Sequence, residues 1–298
     1  MKWQHALKDY QLYLKIERGL SKNSIANYTL DVKKLILFLE DKNITDSPIS
    51  ISTETIQQFI YETAKLVNAR SQSRIISGLR SFFNYLVFED YIKTNPLELI
   101  ESPKIGRKLP DTLSEEEIDT IINAIDLSKP EGERNRAMLE TLYGCGLRVS
   151  ELINLKISDL FFDEGFIKVT GKGDKQRFVP IVSITQKFIN LYRTEIRNHI
   201  SIKAGFEDTL FLNRRGKQLT RAMVFTIIKQ LAEKIGLKKS VSPHTFRHSF
   251  ATHLLQNNAD LRSIQLMLGH ESITTTEIYV HLDKSHLTKV VEKYHPRK

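Results

Sequence analysis

The chain has little of what staples a fold covalently or closes a metal centre. Of its 298 residues only one, Cys145, is a cysteine, which excludes an intrachain disulfide framework and a cysteine-rich zinc site. No apolar run approaches the roughly 20 residues that span a bilayer. The first residues, MKWQHALKDY, are interrupted by charge and lack the apolar stretch of a secretion signal. There is no internal repeat and no low-complexity tract. The expectation is a soluble cytoplasmic protein with no membrane partner.

What is present is an ordinary globular composition, 41% hydrophobic and 27% charged, on a length that suits one large domain or two of usual size. The charge is less ordinary, net +9 with a pI of about 9.4. Residues 1–110 carry 16 basic against 12 acidic side chains, and residues 111–298 carry 28 against 23. The excess is therefore spread over both halves and is not a basic tail. Two basic lobes suit a clamp on a polyanion such as duplex DNA, although charge alone equally fits a basic protein without a nucleic-acid partner.

Apolar spacing divides the first hundred residues into four helices. Residues 3–18 place Ala6, Leu7, Tyr10 and Leu14 on one face. Ser21 reads as the N-cap of a second helix bearing Ile25, Tyr28, Val32, Leu35 and Leu39. Thr53–Val67 and Ser71–Glu89 follow, the last with Ile75, Ile76, Leu79, Phe82, Phe83 and Leu86 inward. That leaves Arg70, Arg74 and Arg80 as candidate DNA contacts. Residues 95–114 break the pattern with three prolines and the basic cluster Lys104, Arg107 and Lys108. Proline disfavours helix in the residue before it, so this reads as an extended linker able to follow a phosphate backbone. A helix restarts at Ser114 with acidic residues in its first turn. Beyond it the chain is mostly helical, except for a β-hairpin over 165–181 around a Gly-Lys-Gly-Asp turn. The run 209–213 is a further strand or a connection. The expected organisation is a helical domain over 1–101, a basic linker over 102–112, and a mixed α+β domain over 113–298.

Four local features carry candidate chemistry. In GCGLRVSELINL (144–155) two glycines permit a tight turn before Arg148, which opposes the dipole of the helix it starts. Glu151, three residues on, can orient it, and a plain surface ion pair is the competing reading. Lys172 sits in the hairpin turn. Five residues separate Gly165 from Gly171, one more than a phosphate-binding P-loop has, and Gly173 follows Lys172 where that motif has Ser or Thr, so its spacing is not met. Lys172 is either a solvated turn lysine or a mobile ammonium delivered to a phosphate. In SPHTFRHSFATHLL (242–255) a helix begins after Pro243, with His244 and Arg247 on a shared face. His244 and His248 are spaced like zinc ligands, but Thr245 stands where that motif has glutamate. In GHESITTTEIYVH (269–281), Thr274 and Glu277 form a capping-box pattern that starts a helix carrying Tyr279, with His270 just before it. Tyr279 alone reads as well as a core aromatic.

Together these supply two arginines, a lysine, two histidines and a tyrosine, with neither a carboxylate pair nor a metal cluster. Such a set suits phosphoryl transfer without a metal or other cofactor. Guanidinium groups meet phosphate oxygens bidentately and neutralise charge developing on a pentavalent phosphorus. A tyrosine whose ordinary pKa is near 10 needs such a cationic setting to attack as phenolate. Lysine and histidine can move the protons.

The ordered set Arg148, Lys172, HTFRH, LGH and IYVH resembles the tyrosine recombinase (phage-integrase-like) family, in particular the Xer recombinases. The resemblance extends to LSKNSIANYTLDVKKLILFLE, RIISGLRSFFNYL and NPLELIESPKIGRKLPDTLSEEEI in the first half. It implies a mainly α fold with a small β-sheet: a helical, SAM-like core-binding domain followed by a mixed α+β catalytic domain. It further implies that Arg148 and Arg247 clamp the scissile phosphate and that Lys172 protonates the departing 5′-oxygen. His244 and His270 assist with protons or a phosphate oxygen, and Glu151 supports the first arginine. Tyr279 is then the nucleophile that forms a 3′-phosphotyrosine. The resemblance also implies a tetramer, homomeric or with a partner recombinase, that exchanges strands through a Holliday junction. It implies a C-terminal helix with Leu287, Val290 and Val291 docked into a neighbouring protomer, with a helix folded onto its own domain as the competing reading, and a role in chromosome-dimer resolution at cell division with a DNA translocase as activator. An integrase or transposase of a mobile element would share the chemistry. A DNA-binding regulator that does not cut would lack it, and a metal-dependent nuclease would need acidic ligands that do not cluster here. Cys145 reads as a small packed residue.

Overall fold

The computed structural model describes residues 1–104, 106, 111–269 and 284–297. The chain divides into two compact units, Met1–Lys108 and Leu109–Lys298.

In the first unit four helices surround one core: α1 (Trp3–Ile16), α2 (Lys22–Asp41), α3 (Thr53–Leu66) and α4 (Ala69–Phe88). Ser21, Ser52 and Asn68 cap the last three, each side chain accepting an N–H three residues on. The Asn68 cap starts α4 two residues before the apolar spacing does. Ala6, Leu7, Tyr10 and Leu14 of α1 are all buried, and the Tyr10 ring meets Phe82 edge-on at 5.2 Å. The α2–α4 contact contains an ion pair, Asp31 to Arg74 at 2.6 Å. Asp31 is buried, and it fits because Gly78 leaves room. A Cβ at Gly78 would lie 2.5 Å from the Asp31 carboxylate.

The second unit begins with α5 (Glu115–Asn123), α6 (Gly132–Gly144) and α7 (Val149–Ile153). Ser114 and Glu117 close a capping box at the start of α5, as the acidic first turn suggests. A three-stranded antiparallel sheet follows in the order β1 (Leu160–Phe161), β2 (Phe166–Thr170), β3 (Gln176–Pro180). Phe166 pairs with Pro180 and Thr170 with Gln176, which delivers the expected hairpin. The two-residue β1 is too short to leave a period-2 signal. The run 209–213 makes only isolated bridges, Lys156 to Thr209 and Leu212 to Gln218, so it is a connection. Helices α8 (Ser183–Leu191), α9 (Arg221–Lys234), α10 (Pro243–Gln256), α11 (Leu261–Leu268) and α12 (Lys284–Tyr294) complete the unit. Its core runs from Ile118 through Leu139, Tyr192, Phe211 and Phe246 to Met267. Leu287, Val290 and Val291 of α12 are buried within that same core, so in the single chain this stripe packs on its own unit.

Candidate active site

The site is built where α6 ends. Gly144 closes the helix, and Gly146 turns the chain with φ +56°, a conformation that costs a side chain 1–2 kcal/mol or so. Space is as tight as the backbone: a Cβ on Gly146 would lie 2.4 Å from the Phe250 ring. Cys145 between them is fully buried, and burial pushes its thiol up to about 12. It is a packed residue with no nucleophilic character.

That turn delivers Arg148 as the residue before α7, with extended backbone. Glu151 reaches back along the short helix. Its Oε2 accepts the Arg148 backbone N–H at 2.8 Å, and its Oε1 accepts from the Arg148 guanidinium at 2.8 Å. Glu151 also receives a two-pronged pair from Arg177 on β3, Nη1 to Oε1 at 2.8 Å and Nη2 to Oε2 at 2.9 Å. Arg247 Nη1 lies 3.7 Å from Oε2. Burial would raise the Glu151 carboxyl. The hydrogen bonds and charge of Arg177, followed by the bonds from Arg148, outweigh it and hold the group at about 2.

Arg247 comes from the second turn of α10, which Ser242 caps and Pro243 starts. Its side chain runs inward and donates to Gly146 O at 2.8 Å and to Leu268 O. Burial, then the charge of Arg148, bring its guanidinium down to about 10. It therefore stays cationic at neutral pH. The C-terminal end of α11 supplies the remaining fixed points. Met267 O accepts from Arg177 Nε at 2.8 Å, Leu268 O from Arg247, and Gly269 O from Arg148 Nη2 at 3.2 Å. Three consecutive carbonyls at the negative end of a helix each take a different arginine.

Among the described residues, three guanidinium groups thus meet one carboxylate, a surplus of positive charge in a largely buried site. Among the described residues, Arg148 and Arg247 each spend two of their five N–H donors on these anchors. One third of the Arg148 side chain is exposed. Such a surface can receive an anion with geometry suited to phosphate. Gly171, at the base of the hairpin turn, places its Cβ position 3.5 Å from Glu151 Oε1. The backbone of Lys172 therefore begins one residue from the cluster, in a 3₁₀ turn with Gly173 at φ +70°.

Of the residues singled out by sequence, Arg148, Glu151 and Arg247 are brought together. His244 is exposed on the first turn of α10, while Arg247 one turn on is buried. His270 and Tyr279, with the capping-box helix expected from Thr274, lie outside the described residues, as do Arg107 and Lys108. In the first unit Arg70 and Lys104 are exposed. Arg74 is held by Asp31, and Arg80 donates to the carbonyls of Leu97 and Ile100, the latter at 2.7 Å. Among the described residues no group of His, Cys, Asp and Glu could hold a metal ion. His253 of α10 is instead buried against the Tyr143 hydroxyl at 2.8 Å from Nδ1.

Comparison with known proteins gives the family. Residues 111–286 match the phage integrase family, and residues 7–90 match the phage integrase N-terminal SAM-like domain. The chain belongs to this family of tyrosine recombinases. Its relatives include tyrosine recombinase XerD of Oceanobacillus iheyensis, 42% identical over 295 residues that cover 99% of both chains. XerD of Staphylococcus saprophyticus is 43% identical over 98% of both. Among solved structures, the XerH site-specific recombinase bound to its difH substrate in a pre-cleavage complex aligns with a TM-score of 0.68. It is 27% identical over 87% of this chain and 77% of its own. This recombinase is mainly helical, and among the described residues no helix is long and apolar enough to cross a membrane.

Arg177 is the member of the cluster that sequence reasoning missed. The signal was there: Gln176 to Val179 alternate exposed and buried, and Arg177 shares the inward face with Val179. A charged residue at an inward strand position demands a buried partner.

Proposed function

We propose that this recombinase cuts and rejoins duplex DNA at a specific site by transesterification, with Arg148 and Arg247 as the clamp on the scissile phosphate. The observation that carries the reading is the pair of arginines anchored by Glu151 and the α11 carbonyls. Among the described residues each retains donors, and one carboxylate faces three guanidinium groups. In the motif order of the chain, Tyr279 is the nucleophile. Its phenolic oxygen attacks phosphorus, the bond to the 5′-oxygen breaks, and a 3′-phosphotyrosine forms. The phenol gives up one proton and the 5′-oxygen gains one, with Lys172 as the donor to the leaving oxygen. His244 and His270 support proton movement and the phosphate oxygens. One phosphoester replaces another, so bond energy is conserved and the reverse attack rejoins the strand without ATP. The clamp stabilises charge where it develops.

The XerD and XerH resemblances support chromosome-dimer resolution at cell division. In that role the protein works as a tetramer with itself or with a partner recombinase, passes through a Holliday junction, and answers to a DNA translocase. The helical domain over 1–101 and linker over 102–112 join the catalytic domain in gripping the duplex, and α12, whose apolar stripe packs on its own unit in the single chain, exchanges onto a neighbouring protomer in the assembly. Arg70, Arg74, Arg80, Lys104, Arg107 and Lys108 are the proposed backbone contacts of the first half.

The test uses a duplex selected by the protein from random-sequence DNA and then nicked beside the cleavage point to trap the intermediate. The expected product is a covalent protein–DNA adduct that survives EDTA and denaturant and is missing in Tyr279→Phe. Cutting that EDTA abolishes, with no adduct, would overturn the proposal.

A further inference from the structure

The geometry points to Arg177 as a positioning residue that holds the Arg148–Arg247 phosphate clamp in register, an inference that rests on the clamp reading above. Arg177 does not reach the phosphate itself. Its side chain is 6% exposed, and its three anchored nitrogens are turned to protein: Nη1 and Nη2 to the two Glu151 oxygens, Nε to Met267 O. What it touches is what the clamp leans on. Glu151 Oε1 is shared between Arg177 Nη1 and Arg148 Nη1, both at 2.8 Å. Met267 O is followed directly by Leu268 O, which holds Arg247, and by Gly269 O, which holds Arg148.

Arg177 thereby ties β3 to the only two supports that Arg148 side-chain donors use among the described residues, the Glu151 carboxylate and the end of α11. Packing confirms how closely it fits that end. A Cβ at Gly269 would lie 3.1 to 3.2 Å from the Arg177 side chain, and Gly269 itself has φ +64°. The backbone therefore passes over the guanidinium at a distance that glycine permits. A planar fork meets the carboxylate with two nitrogens and a third partner with Nε at once. An ammonium has one nitrogen and cannot reproduce that spacing. Burying a cation this deeply is costly unless it is paired, and here the pairing also orients neighbours.

Positioning and plain fold stabilisation make different predictions, and the substrate's charge separates them. The clamp exists to neutralise negative charge on the non-bridging phosphate oxygens. A methylphosphonate at the scissile position removes the diester's single negative charge and with it part of the need for the clamp. Wild type, Arg177→Lys and Arg177→Gln are compared in single-turnover cleavage of nicked duplexes carrying either group, each below its own melting temperature, with binding to the uncut site measured alongside. Arg177→Lys is expected to cleave the phosphate substrate about 100-fold more slowly, the scale at which displacement of a catalytic group by an ångström is felt. Its affinity for the uncut site is expected to stay at the wild-type value. On methylphosphonate the deficit is expected to shrink, for Arg177→Gln as well. A wild-type cleavage rate in Arg177→Lys, or an equal deficit on both substrates, overturns the inference while leaving the recombinase reading intact. Failure of the wild-type protein to form an adduct with the phosphate substrate overturns both.

Discussion

Glu151→Gln is the substitution with the largest expected effect on the stability of the catalytic unit. The side chain keeps its shape, but an NH₂ group replaces an oxygen that receives N–H donors, and the negative charge facing three arginines disappears. Two routes give the magnitude. Removing one partner of a buried ion pair costs about 3–5 kcal/mol, because the other charge stays buried. Separately, the carboxyl is held at about 2 against an ordinary 4.5, and at about 1.4 kcal/mol for each unit this amounts to about 3 kcal/mol. For a unit of this size 1 kcal/mol moves Tm by about 2–4 °C, so a cost of about 3 kcal/mol, on which both routes agree, is a loss of about 6–12 °C at pH 7. The pH dependence has a definite sign. A carboxyl lowered in the folded state contributes its full stabilisation above 4.5, its ordinary value, and loses it as pH falls towards 2. The gap between wild type and variant, followed by thermal unfolding, should therefore be constant from pH 7 to about 5 and narrow below. A Tm change under about 2 °C at pH 7, or a gap that ignores acidification, would show that Glu151 does not hold the arginines together.

Two further outcomes follow from packing. Gly146→Ala forces a Cβ into the Phe250 ring on a backbone with φ +56°. It should cost about 2–4 kcal/mol, and a second change of Phe250→Leu should recover part of that in denaturant titrations. Arg74→Ala leaves the buried Asp31 carboxylate without its partner, at a cost of about 1–3 kcal/mol at pH 8. Burial already raises the Asp31 carboxyl, with Arg74 opposing it. Without Arg74 it rises further, and a raised carboxyl destabilises the fold as it ionises. The deficit of Arg74→Ala in urea unfolding of the full chain should therefore be smaller at pH 5 than at pH 8. A deficit that grows on acidification would refute the pairing.

Most of the local structure was legible, because it is decided by neighbours in sequence. The stripe Ala6, Leu7, Tyr10, Leu14 is buried as its spacing demands, and Ser21 and Ser114 cap the helices they precede. The assembly of the site was legible only through motif order. Arg148 meets Gly269 O across 121 residues, and Arg177 meets Met267 O across 90. No periodicity encodes such contacts. In the hairpin the glycine turn is the loud signal, and a single charge on the inward face of a five-residue strand, Arg177, is a faint one. Arg80 stood out as a charge off the apolar stripe of α4. Only the folding back of residues 95–100 shows that it also binds two backbone carbonyls.

The end of α11 has a consequence for where the molecule can open. Three neighbouring carbonyls are gripped by arginines from three separate segments: the start of α7, strand β3 and helix α10. Opening of that end breaks hydrogen bonds to all three segments, which raises its free energy above that of a helix end held only by its own turns. Slow amide exchange is the signature of such a place. The arginines proposed as the phosphate clamp are thus tied through one helix end to three segments of the unit, and little of the binding energy need be spent on arranging them.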